Sequence, residues 1–201
     1  MLRLSYTLLA PIYDTIVASP TETCRKISLQ SLSAYTQRNV LINGIGSGLD
    51  IPFLPEGPIY TGNDLTPAML RRASVQAQKH KTDITLHQAD VMQLPYVDAS
   101  FDAVVLHLIL AVVSDPARAL QETSRVLKPG GKIFILDKFI PQNKRAYLRR
   151  AINPFLRHIA TRTDVVFEPL LNQCQELRLI TNQAAMFAGW FRMIQLEKKA
   201  S

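Results

Sequence analysis

The sequence predicts an α/β fold: a mostly parallel sheet with helices on both faces, closed by an antiparallel C-terminal hairpin. Short apolar runs alternate with helical patterns along most of the chain, the order that builds strand–helix–strand units. Most of these runs carry β-branched residues, which suit strands. A glycine-rich turn follows the first run, and a carboxylate ends the next.

Residues 1 to about 35 precede the first strand and are expected to form one or two cap helices. Strands are expected at 39–42, 58–62, 84–87, 101–106 and 132–137, and helices at about 49–53, 66–79, 116–127 and 144–159. Thr66-Pro67 suits a helix start, with Thr66 as N-cap and Pro67 at the first helical position, and Asp115-Pro116 opens the later helix in the same way. Pro129-Gly130-Gly131 stops that helix and turns into the next strand. Near the C-terminus, 177–181 and 190–196 read as two strands joined by a loop containing Gly189. The whole chain, 1–201, is expected to be one domain, with a basic amphipathic insertion at 142–163.

The 201 residues are 47% hydrophobic and 19% charged, an ordinary composition for a soluble globular protein. Met1 to Tyr6 lacks a signal peptide's apolar core, and the longest apolar run, 103–113, is too short to span a bilayer. Cys24 and Cys174 are far apart, so a cytoplasmic chain with free thiols is expected. No metal site is expected: neither cysteine has ligand company, and His80, His87 and His158 show no ligand spacing. The net charge is +7, and much of it lies in Lys144, Arg145, Arg149, Arg150, Arg157 and Arg162, a stretch without acids. Tyr147, Leu148, Ile152, Phe155, Leu156 and Ile159 interleave with those cations, and Pro154 divides the stretch. An interfacial helix needs this pairing of apolar and cationic faces, so an anionic membrane surface is the expected partner. A solvated helix over the sheet edge is the alternative. No nucleic-acid motif accompanies the charge, and no nucleic-acid partner is expected.

Val40-Leu41-Ile42 and Asn43 lead into Gly44-Ile45-Gly46-Ser47-Gly48, and Ile59 to Asn63 lead into Asp64. An open, doubly wound Rossmann-like sheet holds a nucleoside in this way. Glycines let the backbone turn sharply and approach a ligand, while the carboxylate accepts from ribose hydroxyls. A nucleoside-bearing cofactor is therefore expected.

Further segments narrow that expectation. Gly44 to Gly48, Asp64-Leu65-Thr66-Pro67-Ala68-Met69-Leu70, Gln88 to Pro95, Asp98 to Val104, and Arg125-Val126-Leu127-Lys128-Pro129-Gly130-Gly131 occur in order. Together they resemble the motifs of class I S-adenosylmethionine-dependent methyltransferases. Tyr6 to Asp14 is similar to the opening of bacterial phosphatidylethanolamine N-methyltransferases and their quinone C-methyltransferase relatives, and Phe187-Ala188-Gly189-Trp190-Phe191 is similar to the lipid-enzyme group.

The resemblance implies S-adenosylmethionine as cofactor. It would be held by Asn43, Gly44, Gly46, Ser47 and Gly48, by Asp64, Leu65 and Met69, and by Asp90, Val91 and Leu106, with Asp90 near the adenine. It also implies a lid formed by Tyr6, Tyr13 and Asp14, for which a packed N-terminal helix is the alternative. One position departs from the family: an acid usually stands where this chain has Ile42, which cannot accept a hydrogen bond. Asn43 carries a side-chain carbonyl, but strand alternation points it to the other face.

His107 falls at the carboxyl end of the fourth strand, where open sheets bind ligands. It is a candidate proton acceptor, with a satisfied core histidine as the alternative. His107, Tyr13 and Asp14 are thus the candidate catalytic residues. The expected substrate is an amino phospholipid such as phosphatidylethanolamine. A quinone or other small apolar acceptor is the enzyme alternative, and a non-catalytic cofactor-fold module the other.

Overall fold

The computed structural model describes residues 20–140, 165–186 and 189–200. Tyr6, Tyr13, Asp14, the basic segment 142–163, Phe187 and Ala188 lie outside them. No helix among the described residues is long and apolar enough to cross a membrane.

Helix α1 (20–30) runs into a 3-10 turn, Ser31–Tyr35. Strands β1 (Asn39–Asn43), β2 (Ile59–Asp64), β3 (Ile84–Gln88), β4 (Phe101–His107) and β5 (Leu127–Lys138) follow, with α2 (Pro67–His80) and α3 (Pro116–Val126) between them. The chain ends with α4 (Phe167–Asn172), β6 (Leu177–Met186) and β7 (Phe191–Lys198). The seven strands form one sheet in the order β3-β2-β1-β4-β5-β7-β6. β1 to β5 pair in parallel, whereas β7 is antiparallel to both neighbours. The expected C-terminal hairpin forms, with its last strand inside and β6 at the edge.

Apolar side chains fill both faces. Leu41, Val104, Leu106, Ile133 and Ile135 pack with Leu120 of α3 and Phe167 of α4. Val40, Ile42, Ala103, Val105 and Phe134 pack with Leu29 of α1 and Ala73 and Ala77 of α2. Met69, Ala73 and Ala77 recur every fourth residue on α2, so the face it buries ends in small side chains that let it lie close to the sheet.

Asp115 caps α3 as expected, its side chain accepting from the Arg118 N–H at 3.0 Å. Thr66 stands at the N-cap of α2, but its side chain makes no capping bond. Its own N–H instead donates to Asp64 Oδ1 at 2.8 Å, because the carboxylate two residues earlier reaches that donor in an Asx-type turn. The helix expected at 49–53 shrinks to the 3-10 turn Ile51–Phe53: Leu54 is extended ahead of Pro55, which disfavours a helical residue before it. β6 runs past its expected end at 181 to Met186. Most of it is exposed, so its sequence has no buried-strand pattern, and pairing with β7 defines it. Between α3 and the main run of β5 the register jumps from Phe101–Leu127 to Ala103–Lys132, and Pro129-Gly130-Gly131 lies in the resulting bulge.

Arg125 closes the packing around α3. It donates to the Leu94 and Tyr96 carbonyls at 2.9 and 2.8 Å, to Asp98 at 2.7 Å, and to both oxygens of buried Glu122. Hydrogen bonds from Arg125 hold the Glu122 carboxyl below its ordinary range, although burial acts the other way. Arg125→Met strands that carboxylate and two carbonyls, and should cost about 3 kcal/mol in urea unfolding.

Candidate cofactor and substrate site

The parallel strands all end on one rim of the sheet, and strand order reverses between β1 and β4, where open α/β sheets take their ligands. The glycine turn sits at that switch point. Gly44 and Ile45 donate their N–H groups to the Asn63 carbonyl at 3.0 and 2.8 Å, and Gly46 donates to Asp64 Oδ2 at 3.1 Å. The turn after β1 is therefore tied to the tip of β2 through both backbone and carboxylate.

The three glycines have different reasons to be glycine, though all have positive φ. A Cβ on Gly44 would lie 2.6 Å from the Ile109 side chain, and one on Gly48 would lie 2.9 Å from the Ala73 backbone. Those two admit neighbouring chain. A Cβ on Gly46 would meet nothing within 4 Å. Gly46 thus faces open space, which a ligand can use.

Burial raises the Asp64 carboxyl above its ordinary range, against the hydrogen bonds from Thr66 and Gly46 that favour the anion. Each oxygen takes one backbone N–H and the Thr66 hydroxyl adds a third bond, so only part of the capacity of the carboxylate's roughly four acceptor positions remains for hydroxyl donors. Beside it, Ala89 N–H donates to the Asp64 carbonyl at 3.1 Å, and Asp90 Oδ1 accepts from Met92 N–H at 2.9 Å, fixing the segment after β3 over the tip of β2. Leu65 is exposed at the same tip, and Ser47 and Asp90 are half-buried. Open space at Gly46 beside a carboxylate with free acceptor positions fits the nucleoside half of S-adenosylmethionine.

Other expected residues are placed differently. Met69 and Val91 are buried, and Leu106 has no exposed surface in the core beneath α3. Asn43 Nδ2 donates to Thr123 Oγ1 at 3.1 Å, so its side chain is turned onto α3 and away from the glycine turn. Ile42 lies in the opposite core layer, as strand alternation requires. Neither residue supplies a carboxylate for the methionine end.

His107 is buried at the end of β4 with both ring nitrogens engaged. Nδ1 lies 2.9 Å from Asp50 Oδ1, and Nε2 lies 3.0 Å from Ser28 Oγ. Arg25 Nη1 donates to the same Asp50 oxygen at 2.6 Å, and Arg25 Nε donates to Thr21 Oγ1 at 3.0 Å. Burial would raise the Asp50 carboxyl, but electrostatic attraction and hydrogen bonds from His107 and Arg25 outweigh it and hold the group well below its ordinary range. Asp50, Arg25 and Ser28 went unnoticed in the sequence. Asp50 had one available signal, as a lone acid between Leu49 and Ile51; Arg25 and Ser28 had none, because helix α1 meets β4 only in the folded chain. Asp137 was also missed. Fully buried at the end of β5, it accepts from Ala111 N–H at 3.1 Å and Lys138 N–H at 2.7 Å, pinning the turn after β4.

The fold is that of the class I S-adenosylmethionine-dependent methyltransferases. A family described as a methyltransferase domain matches residues 41–135. The chain belongs to that superfamily, and S-adenosylmethionine is its cofactor. Its relatives include the phosphatidylethanolamine N-methyltransferase of Cereibacter sphaeroides, 29% identical over 94% of this chain and 93% of that protein. A ubiquinone/menaquinone biosynthesis C-methyltransferase of Bdellovibrio bacteriovorus is 44% identical over 38% of this chain, but the match spans only 33% of that enzyme. Among solved structures, the [4+2]-cyclase SpnF superposes with a TM-score of 0.75 at 16% identity, over 100% of this chain and 96% of that one. At that identity the likeness concerns the fold alone.

Gly46→Val should fill the open space and weaken S-adenosylhomocysteine binding at least tenfold by calorimetry, with a fold loss of about 1–2 kcal/mol from its positive φ. Gly48→Val should instead lower the melting temperature sharply, since it drives into the α2 backbone. Asp50 makes the pH prediction. Its folded-state carboxyl is depressed below the ordinary 3.8, so its contribution is full above that value and lost as pH falls through the range beneath it. Unfolding free energy should therefore drop more steeply between pH 4 and pH 2 in the wild type than in Asp50→Asn.

Proposed function

We propose that the chain methylates the amino head group of phosphatidylethanolamine at an anionic membrane surface, as a peripheral protein on the cytoplasmic face. The observation that carries this reading is the end-to-end similarity to a phosphatidylethanolamine N-methyltransferase, which spans nearly all of both chains. The sequence of 142–163 adds support, with six cations and no acid among aromatic and aliphatic residues.

Within this reading, Asp64 accepts from the ribose hydroxyls, the backbone around Gly46 approaches the cofactor, and the segment at Asp90 borders the adenine. Ser47 and Leu65 line the same rim. Bound S-adenosylmethionine supplies a methyl group on an already activated sulfonium. The chain's own work is then mostly positioning: aligning the acceptor, excluding water and keeping the acceptor nitrogen unprotonated. Tyr13 and Asp14 remain candidates for the acceptor side, together with His107.

A second reading is C-methylation of a quinone precursor, favoured by the higher local identity to a quinone-pathway enzyme, 44% over 77 residues. One experiment separates the two. The protein is incubated with methyl-labelled S-adenosylmethionine and anionic vesicles containing phosphatidylethanolamine, and the lipids are separated. Label in mono- or dimethylated aminophospholipid is expected. Label absent from lipid but present in an added demethylated quinol would replace the first reading with the second.

A further inference from the structure

Three elements bring Ser28, His107 and Asp50 into a line. Ser28 comes from α1, His107 from the end of β4, and Asp50 from the turn that follows the glycines. Asp50 is held ionised and can only accept, so the ring proton is fixed on His107 Nδ1. Nε2 is then the nitrogen left to accept, and it lies 3.0 Å from Ser28 Oγ. Ser28 is half-buried and makes no other hydrogen bond among the described residues. Its hydroxyl can donate to Nε2 while accepting from a partner on its outer side.

The placement suits chemistry at the rim. Ile42 pairs with Val105, so His107, two residues further along β4, stands level with Gly44 at the switch point. Among the described residues, the charged groups facing His107 are Asp50 and, through Asp50, Arg25; its register partner on β5 is Leu136, and neither Leu136 nor Gly44 carries charge.

We propose that Ser28, His107 and Asp50 form a proton relay for the methyl acceptor, an inference that rests on the methyltransferase reading above. Ser28 is the catalytic contact, His107 holds the proton, and Asp50 is a positioning residue steadied by Arg25. The acceptor is a protonated amine or an acidic hydroxyl. Its N–H or O–H bond breaks as the proton moves to Ser28 Oγ, while the Ser28 hydroxyl proton passes to Nε2. The electron pair stays on the acceptor atom as the nucleophile. The imidazolium so formed is balanced by Asp50 and returns its proton to water after turnover. Neither an oxidant nor a reductant is needed.

The test compares wild type, Ser28→Ala, Ser28→Thr and Asp50→Asn with labelled cofactor and whichever acceptor takes label in the wild type. Ser28→Ala should lower kcat on the order of 100-fold and flatten the acid limb of its pH profile, with S-adenosylhomocysteine affinity unchanged by calorimetry. Ser28→Thr, which keeps the hydroxyl, should restore most of the rate. Ring nitrogen NMR should find the His107 proton on Nδ1 in wild type and a mixed tautomer in Asp50→Asn. Wild-type kcat in Ser28→Ala, or a Ser28→Thr no better than Ser28→Ala, overturns the relay alone, as does an unprotonated Nδ1. A wild type that labels neither an amine nor a quinol overturns the relay together with the functional reading.

Discussion

A carboxylate removed from water must find compensating donors, and Asp50 finds them on two separate parts of the fold. Arg25 reaches it from α1 and His107 from the end of β4, on a single oxygen. Losing Arg25 would leave the buried carboxylate without its cationic partner, a state that costs several kcal/mol. The helix over the sheet, the turn after the glycines and the fourth strand are thereby held in one arrangement. Directional bonds of this kind set where α1 lies more tightly than apolar contact alone would, because burial energy hardly changes when a helix slides.

The glycine turn depends on a second carboxylate with the opposite electrostatics. Among the described residues Asp64 pairs with no cation, and its companions are the backbone N–H groups of Gly46 and Thr66 and the Thr66 hydroxyl. A half-buried acid satisfied only by neutral donors favours further donors, which suits it to a ligand. Asp50 is saturated by charge and suits structure and proton traffic. Two acids fourteen residues apart thus serve different ends because one is paired and the other is not.

The departure at Ile42 gains its meaning from this arrangement. An acid there would project into the layer that already holds Asp50 and His107, since Ile42, Val105 and His107 share a face of adjacent strands. Isoleucine joins the apolar packing instead, and the carboxylate of that region arrives from the following turn. Asn43 cannot substitute, because alternation commits it to Thr123 on the other side.

The order of strands and helices was legible because local patterns record it: β-branched runs, Pro67 and Pro116 at helix starts, and glycines where the chain reverses. The glycine turn and Asp64 were legible too, since contiguous motifs must place backbone and carboxylate together. The length of β6 was not, because an edge strand exposed on both faces needs no apolar alternation. The roles of Arg25, Ser28 and Asp50 were hidden as well, for their partners lie 25 to 79 residues away in sequence. What the sequence by itself determined was the fold class, the glycine turn and the family. Only the tertiary structure decided that His107 is tied between a serine and an ionised aspartate, because hydrogen bonding across that distance exists only once the sheet has brought α1 and β4 together.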